Sequence, residues 1–167
     1  MNIKLDNIEL CVYDYNNQKH NEILNKFDGE SKSNYIHEIK ERIKNTINKK
    51  NIPFDSGFFV ILNNEIVGYM FISKKINDEV FLESSLLKEH RGKRYAKIIL
   101  NDVSNYLMNE HNIKSIVLDI DPSNISSIRT AISAGYEIDE EEYINRNMTG
   151  KILYRLDNYN YINRRKK

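Results

Sequence analysis

A change of hydrophobic period near residue 90 most strongly constrains the fold of this 167-residue chain. Before it, three apolar runs typical of β-strands follow one another closely: Gly57–Leu62, Glu65–Ser73 and Glu79–Leu87. Asn63-Asn64 separates the first two runs, and this pair favours a tight antiparallel turn because asparagine tolerates a positive φ. From about Gly92 to Glu110 the apolar residues instead recur at helical spacing. The pattern predicts an antiparallel meander followed by a long helix.

The segment before the meander adds a strand and two helices. The apolar run Ile8–Tyr13 predicts a first strand. Of the two helices that follow, the second is predicted from about Lys32 to Lys50 because its isoleucines recur at helical spacing, and Pro53 closes the region. The predicted buried face of this helix consists of Ile36, Ile39, Ile43 and Ile47.

After the long helix, the pattern is strand, helix, strand and strand. Ser115–Ile120 predicts a short strand, and Ser123–Ala134 predicts a helix with Gly135 as its left-handed C-terminal cap. Two further strands are predicted at about Tyr136–Ile144 and Lys151–Leu156. The predicted buried side of the helix consists of Ile125, Ile128 and Ile132.

This order of elements predicts an α/β (α+β) fold, since a strand–helix–strand crossover continues an antiparallel meander. We expect a mixed, mostly antiparallel central sheet of about seven strands with four flanking helices. The length is that of one domain. We therefore predict a single domain over residues 1–160 and a basic C-terminal tail over residues 161–167.

Charge and composition argue against two classes of partner. The chain has 25 basic and 24 acidic residues, and because residues 164–167 are all basic, the rest carries 21 against 24, a net charge of −3. A nucleic-acid-binding domain normally has a basic excess, so a nucleic-acid partner is not expected. No apolar run approaches the roughly 18 residues of a membrane span, and the N-terminus lacks a signal segment. We expect a soluble, cytoplasmic protein without a membrane partner.

Neither cysteine nor histidine predicts a metal site. Cys11 is the single cysteine, which excludes an internal disulfide, and its apolar neighbours favour a place in the core. The histidines share no metal-ligand spacing. These are His20, His37, His90 and His111.

The segment Leu86–Ala96, which reads LLKEHRGKRYA, joins a predicted strand to the start of the predicted long helix. Helix N-termini leave backbone N–H groups unpaired and carry partial positive charge, which favours a diphosphate. The small Ala96 would let phosphate oxygens approach the backbone, and Arg91, Lys93 and Arg94 add positive charge. The segment predicts a phosphate-binding loop; solvated basic surface is the alternative.

A second segment, NISSIRTAISAGY, follows the strand Ser115–Ile120. Through Asn124, Gly135 and Tyr136, this segment resembles a signature of the GNAT superfamily of acetyl-coenzyme A-dependent N-acetyltransferases. The family often has a Tyr where Ala131 stands. The order of elements also fits the family along nearly the whole chain.

The phosphate loop carries the other half of the resemblance. In the family it runs Gln/Arg, two residues, Gly, one residue, Gly/Ala, and it opens a helix. Arg91 and Ala96 match its ends, while Arg94 stands where the family usually has Gly. This departure removes backbone freedom but adds a cation.

The resemblance implies acetyl-coenzyme A as cosubstrate, and no metal is expected because the histidines share no metal-ligand spacing. It places the diphosphate on the loop. Backbone N–H groups near Leu86 and Leu87, where the family splays two strands apart, would polarise the thioester and pair with the pantetheine arm. The expected cofactor-binding residues are Leu86, Leu87, Lys88, Arg91, Gly92, Lys93, Arg94, Tyr95, Ala96 and Asn124.

The resemblance also implies direct attack of an acceptor amine on the thioester. An alkylamine of pKa about 10.4 is mostly protonated at pH 7, so a general base speeds the reaction. Glu83, on the strand that leads to the loop, is the candidate base; an outward-facing strand carboxylate is the alternative. The family's phenol protonates the departing thiolate, and Ala131 replaces it here. Ser127, one helical turn earlier, is the candidate substitute, directly or through a water; a packing role is the alternative.

We expect an N-acetyltransferase that acts on a primary amine of a small molecule, peptide or protein. The acidic run Asp139–Glu142, on a predicted strand, would favour a polycationic acceptor such as a polyamine or aminoglycoside, unless it is a solvated strand end. Because Ala131 lacks a hydroxyl, the alternative function is a catalytically degenerate domain that binds acyl-coenzyme A as a sensor or partner module. The oligomeric state stays open, a homodimer included.

Overall fold

The computed structural model describes residues 2–27, 34–147 and 150–162, and in these residues the chain forms eight strands and five helices. The strands are β1 (Asn2–Lys4), β2 (Glu9–Cys11), β3 (Ser56–Leu62), β4 (Glu65–Ile72), β5 (Glu79–Leu86), β6 (Ser115–Ile120), β7 (Glu137–Ile138) and β8 (Ile152–Asp157). The helices are α1 (Gln18–Lys26), α2 (Asn34–Asn45), α3 (Tyr95–Glu110), α4 (Ile125–Ser133) and α5 (Glu140–Asn145).

The strands form a sheet in the order β1-β2-β3-β4-β5-β6-β8-β7. β5 and β6 are parallel, because the chain returns between them through α3. The pairs β1–β2, β2–β3, β3–β4, β6–β8 and β7–β8 are antiparallel. The predicted mixed, mostly antiparallel sheet is confirmed, with one strand and one helix more than expected.

The chain divides into two compact units. Unit 1 consists of Met1–Lys74 and Glu83–Tyr95, and unit 2 consists of Lys75–Leu82 and Ala96–Lys167. The core of unit 1 contains apolar residues of α1, α2 and the strands, among them Ile23, Leu24, Ile39, Ile43, Phe59, Tyr69 and Leu87. The buried residues of unit 2 include Ile99, Val103, Leu107, Ile116, Tyr136 and Leu153. No helix in the described residues is both long and apolar enough to cross a membrane.

The meander and the crossover match the sequence pattern closely. β3, β4 and β5 start and end within one residue of the predicted bounds, and β6 coincides with its prediction. Asn63 and Asn64 have φ values of 52° and 64°, so both adopt the left-handed conformation that their turn requires. α3 begins at Tyr95, at the end of the basic loop.

The N-terminal region differs from its prediction in two places. The first predicted strand is reduced to Glu9–Cys11, and it pairs with β1, which the sequence analysis missed. The predicted face of the second helix is wrong at Ile47, which is 54% exposed. α2 ends at Asn45 and the chain continues as a 3₁₀ turn, Thr46–Asn48, whose tighter winding rotates Ile47 out of the stripe. The predicted start of this helix, at Lys32, lies outside the described residues.

The predicted buried side of α4 is also wrong. Ile125 and Ile132 are 52% and 58% exposed, Ile128 is half-buried, and the fully buried side chain is Ala131. Periodicity locates an apolar stripe but does not show whether anything covers it. The helix instead turns its small residue inward.

The strand predicted at Tyr136–Ile144 is replaced by the two-residue β7 and by α5. Asp139 caps α5, since its Oδ1 accepts the N–H of Glu142 at 3.1 Å. Three glutamates then occupy the first turn, where carboxylates complement the helix dipole. The acidic run that suggested a strand end is therefore a helix start.

The prediction of one domain over residues 1–160 stays a prediction. Of the predicted tail, residues 163–167 lie outside the described residues. Tyr161 donates its hydroxyl to Asp78, and the Ile162 N–H donates to the Asn112 Oδ1 at 3.3 Å.

Candidate active site

In unit 1, a basic loop connects β5 to α3. A 3₁₀ turn, Lys88–His90, follows the buried Leu87, and residues 91–94 then lead into α3. The Arg91 Nε donates to the Leu86 carbonyl oxygen at 3.1 Å, which ties the loop back to the strand end. The loop exposes four cationic side chains, those of Lys88, Arg91, Lys93 and Arg94.

The backbone of this loop uses the left-handed region twice. Gly92 has a φ of 76° and Arg94 a φ of 62°. Glycine adopts this region readily, whereas an arginine there costs roughly 1–2 kcal/mol. The conformation explains why glycine suits position 94, and it shows that Arg94 reaches the same backbone geometry under strain.

The start of α3 fits a diphosphate. Its first turn contains no acidic residue, and Ala96 is half-buried. A Cβ built at Gly92 meets nothing within 4 Å, so space remains beside the loop. The first N–H groups of a helix and its positive dipole end attract anions. Lys93 and Tyr95 flank this start, with the Lys93 Nζ 5.9 Å from the Tyr95 ring centroid.

The end of β5 packs against a bulge in β4. The β3–β4 register shifts between Val60 and Ile61, and Val67 has no partner in it. The Val67 carbonyl accepts the N–H of Leu87 at 2.8 Å. This N–H is thus engaged within unit 1, and the expectation that backbone N–H groups near Leu86 and Leu87 bind the ligand stays a prediction.

Gly68, the next residue of β4, faces the backbone of β5. A Cβ built at Gly68 would lie 2.0 Å from the Ser85 carbonyl oxygen and 3.0 Å from the Leu86 Cα. Only glycine permits this approach of the two backbones. Gly68 therefore fixes the position of the strand end from which the loop begins.

Glu83, the candidate base, lies on β5 and pairs with α2. Its Oε2 is 3.2 Å from the Arg42 Nη1, and its side chain is 33% exposed. Its Oε1 is shielded from solvent. Glu83 is therefore ion-paired and only partly exposed to solvent.

Sequence reasoning missed Arg42. Its Nη2 lies 2.9 Å from the Glu38 Oε1, one helical turn earlier, and its guanidinium carbon lies 4.4 Å from the ring centroid of Phe71. The spacing of Glu38 and Arg42 on a predicted helix was a usable signal. The contact with Glu83, 41 residues away, had no local signal.

Tyr69, on β4, lies in the same region of unit 1. Burial raises the pKa of its hydroxyl to about 12, although the charge of Arg42 opposes the rise. The hydroxyl therefore stays protonated at neutral pH. Arg42 lines a shallow depression together with Ile39, Ile43, Gly57, Tyr69 and Phe71.

In unit 2, the second sequence signature forms the two ends of α4. The Asn124 Oδ1 accepts the Ser127 N–H at 3.2 Å and caps the helix start. At the other end the Tyr136 N–H donates to the Ala131 carbonyl and the Gly135 N–H to the Ile132 carbonyl. This is a Schellman cap, and Gly135, with a φ of 89°, supplies its left-handed residue.

Tyr136 is buried beyond this cap. Its hydroxyl and that of Ser104, on α3, are 2.7 Å apart. Burial raises the pKa of Tyr136, while the hydrogen bond with Ser104 opposes the rise. The aromatic residue of the signature is therefore a core residue. Ser127, half-buried, lies one turn before Ala131 on the same helix.

The acidic run is engaged in ion pairs within unit 2. Arg155 pairs with the Asp139 Oδ2 at 3.1 Å and also with Glu79. Arg146 pairs with the Glu142 Oε1 at 3.1 Å. Two carboxylates of the run are thus already paired, which weakens the case for a polycation site there.

The predicted site residues fall into two groups. Unit 1 holds Glu83, Leu86, Leu87, Lys88, Arg91, Gly92, Lys93, Arg94 and Tyr95, and unit 2 holds Ala96, Asn124 and Ser127. No group of three His, Cys, Asp or Glu side chains suited to a metal ion occurs in the part of the chain that the structure describes.

Comparisons with known proteins agree with this architecture. The family model described as acetyltransferase (GNAT) domain matches residues 12–137. No curated protein sequence matches the chain at a significant level.

Three similar solved structures are acetyltransferases. The chain superposes on a ribosomal-protein-S5-alanine acetyltransferase from Vibrio fischeri with a TM-score of 0.72 and 17% identity, over 98% of this chain and 100% of that one. A ribosomal L7/L12 alpha-N-protein acetyltransferase in complex with coenzyme A gives 0.70 and 13%, over 94% and 98%. A spermidine N-acetyltransferase chimera from Vibrio cholerae and hSSAT gives a TM-score of 0.67 and 18% identity, over 95% of this chain and 100% of that one. At these identities the likeness shows the fold.

Proposed function

The chain belongs to the GNAT acetyltransferase family, whose model covers more than half of it, and from this premise we propose that it acetylates a primary amine with acetyl-coenzyme A. The observation that carries the proposal is the loop of residues 88–94. It exposes four cationic side chains and contains two residues in the left-handed conformation. It leads into a helix whose first turn has no acidic residue. Such a loop suits a diphosphate.

Acetyl-coenzyme A supplies the acetyl group as a thioester. In this proposal Arg91, Lys93 and Arg94 bind the diphosphate, and the half-buried Ala96 leaves room beside the first turn of α3. Leu86 offers backbone groups to the pantetheine arm. The hydrogen bond from Arg91 to the Leu86 carbonyl fixes the loop against the end of β5.

Glu83 is proposed as the general base. An acceptor of pKa about 10.4 is neutral in only about one molecule in 2,500 at pH 7, so removal of its proton is required before attack. The Glu83 carboxylate accepts this proton, and the amine nitrogen then forms the bond to the acetyl carbon as the carbon–sulfur bond breaks. The nitrogen then carries one excess proton. In this proposal Ser127 receives that proton as it gives its own to the departing sulfur, directly or through a water.

The acceptor is proposed to be a primary amine of a small molecule, peptide or protein. Similar structures are described as acting on ribosomal proteins and on spermidine. A panel of n-butylamine, spermidine and short peptides that begin with alanine or serine covers these classes. Release of free thiol from acetyl-coenzyme A across the panel tests the activity.

Glu83→Gln tests the base. The amide keeps the shape of the side chain but cannot accept the proton, so we expect turnover to fall roughly 10²–10⁴-fold with little change in coenzyme A affinity. Glu41→Gln, on α2, is the control, because Glu41 pairs with Lys44 on its own helix. Turnover and a pH–rate profile unchanged by Glu83→Gln would show that Glu83 is a structural strand residue.

The second candidate function is a non-catalytic module that binds acyl-coenzyme A. It is favoured by Ala131, which is fully buried and offers no hydroxyl where the family often has one. Coenzyme A binding by calorimetry without thiol release from any amine of the panel would support this function over catalysis.

A further inference from the structure

Arg42 occupies a site built for a cation. Its guanidinium lies between the Glu83 carboxylate at 3.2 Å and the face of the Phe71 ring, whose centroid is 4.4 Å from the guanidinium carbon. A carboxylate beside an aromatic face is also the environment that attracts a primary ammonium group. The Arg42 guanidinium therefore occupies a position between Glu83 and Phe71 that would also suit an ammonium group.

Arg42 has a second partner on its own helix. The Glu38 Oε1 is 2.9 Å from the Arg42 Nη2, closer than the Glu83 oxygen is to Nη1. If the guanidinium leaves Glu83, it keeps one carboxylate. About a third of each side chain, Arg42 and Glu83, is exposed, and ion pairs of this kind are weak enough to exchange.

Charge around Arg42 favours a cationic ligand with an apolar arm. The Glu38 and Glu83 carboxylates both pair with the Arg42 guanidinium, so the place that it occupies suits a cation. No space for a ligand remains in the adjoining depression, which Arg42 lines together with Ile39, Ile43, Tyr69 and Phe71, so methylene groups reach these side chains only after the guanidinium moves. Tyr69 adds no charge, because burial raises the pKa of its hydroxyl to about 12.

We propose that Arg42 is an exchangeable stand-in for the acceptor, which displaces it from Glu83 as a primary ammonium while Arg42 remains paired with Glu38. The proposal rests on the proposed function, in which Glu83 then takes the proton of that ammonium. Arg42 thus determines specificity: it competes with the acceptor for Glu83, and Glu38 sets the strength of the competition.

Opposite changes in the acceptor KM test this proposal. The assay is thiol release at saturating acetyl-coenzyme A, with the panel amine that the wild type acetylates fastest. Arg42→Met keeps the apolar stem but removes the competing charge, so we expect the KM to fall about two- to fivefold with kcat within about twofold. Glu38→Gln removes the alternative partner, so Arg42 holds Glu83 more tightly and the KM rises by a similar factor. Arg42→Lys should give an intermediate KM.

The matched control is the neighbouring ion pair of α2, Lys44 with Glu41, at 3.9 Å. Lys44→Met and Glu41→Gln should leave the KM unchanged. An unchanged or raised KM in Arg42→Met, or a lowered KM in Glu38→Gln, overturns the exchange while the proposed function stands. A wild type that releases no thiol with any panel amine overturns both. Thermal melts with coenzyme A verify the fold of each variant.

Discussion

At the scale of single residues, Arg94 combines a sequence departure with a strained backbone. Its φ of 62° is the conformation that glycine would adopt at the same position. A glycine there would therefore give the loop no geometry that it lacks now. The two effects that seemed opposed in the sequence, backbone freedom and charge, can be separated.

Arg94→Gly should raise or preserve stability while weakening coenzyme A binding. Relief of the left-handed strain contributes roughly 1–2 kcal/mol to the unfolding free energy. The greater freedom of glycine in the unfolded chain offsets about 0.5–1 kcal/mol of this gain. Loss of an exposed cation should raise the Kd for coenzyme A about two- to fivefold. Chemical denaturation and calorimetry measure the two. Arg94→Asn is the control, because asparagine tolerates this φ without a charge; tighter binding by either variant would contradict the prediction.

His20 is a second residue whose environment has a measurable consequence. It is buried, and burial lowers the pKa of its imidazole, an effect that Asp14 opposes. The Asp14 N–H donates to the His20 Nδ1 at 3.0 Å, so the folded state favours the neutral ring. The unfolded state binds more protons below its pKa of about 6.5, and stability is therefore lost as pH falls through that value.

The acid sensitivity of folding should decrease in His20→Asn. One such group can lower the unfolding free energy by at most about 1.4 kcal/mol per pH unit below pH 6.5. Urea unfolding at pH 7.5 and at pH 5.5 measures how much stability each protein loses. His111, whose pKa is also lowered by burial, keeps part of the effect. Asn17→Ala removes the N-cap of α1 and should lower stability equally at both pH values. An equal pH dependence in His20→Asn and wild type would refute this assignment.

At the scale of elements, the packing of α4 restricts the replacement of Ala131 by the tyrosine that the family often has. Ala131 is fully buried, and its carbonyl is part of the cap that positions Tyr136. A tyrosine there must find space in a closed environment, and overpacking of this kind costs about 1–3 kcal/mol. We therefore expect that adding a phenol at position 131 damages the packing of α4.

Ala131→Tyr should therefore lower the melting temperature and leave thiol release no faster than in wild type. A loss of about 1–3 kcal/mol corresponds to several degrees for a chain of this size. Ala134→Tyr adds the same side chain at a half-buried position beyond the helix and should be tolerated better. A stable and more active Ala131→Tyr would show that the site has room for the phenol.

The elements that could be predicted are those with a pattern of their own. β3, β4, β5 and α3 follow from alternation and helical spacing, which are local properties. β1 has three residues and no pattern, and it is fixed by pairing with β2. α5 depends on the cap of Asp139, whose acidic neighbours resembled a charged strand end.

At the scale of the whole molecule, the candidate site has one part that is contiguous in sequence and one part that is assembled by packing. The basic loop is contiguous in sequence, so its residues could be named from spacing and charge. The group of Glu38, Arg42 and Glu83 is assembled by packing of α2 against the sheet of unit 1, and no spacing rule connects residues 41 positions apart. Binding of coenzyme A, in contrast, can be tested on the whole chain by a single measurement of thermal stability.

Coenzyme A should stabilise the protein against heat. A ligand at 100 times its Kd adds about 2.7 kcal/mol to the unfolding free energy, roughly 5–10 °C at this size. Ala96→Glu should abolish the shift, because a carboxylate in the first turn of α3 occupies and repels the diphosphate position. The unliganded variant should melt no lower than wild type, since that carboxylate suits the helix dipole. Asn105→Glu adds the same group at an exposed position farther along α3 and should keep the shift. No shift at millimolar coenzyme A would remove the cofactor assignment, and a shift retained by Ala96→Glu would place the diphosphate elsewhere.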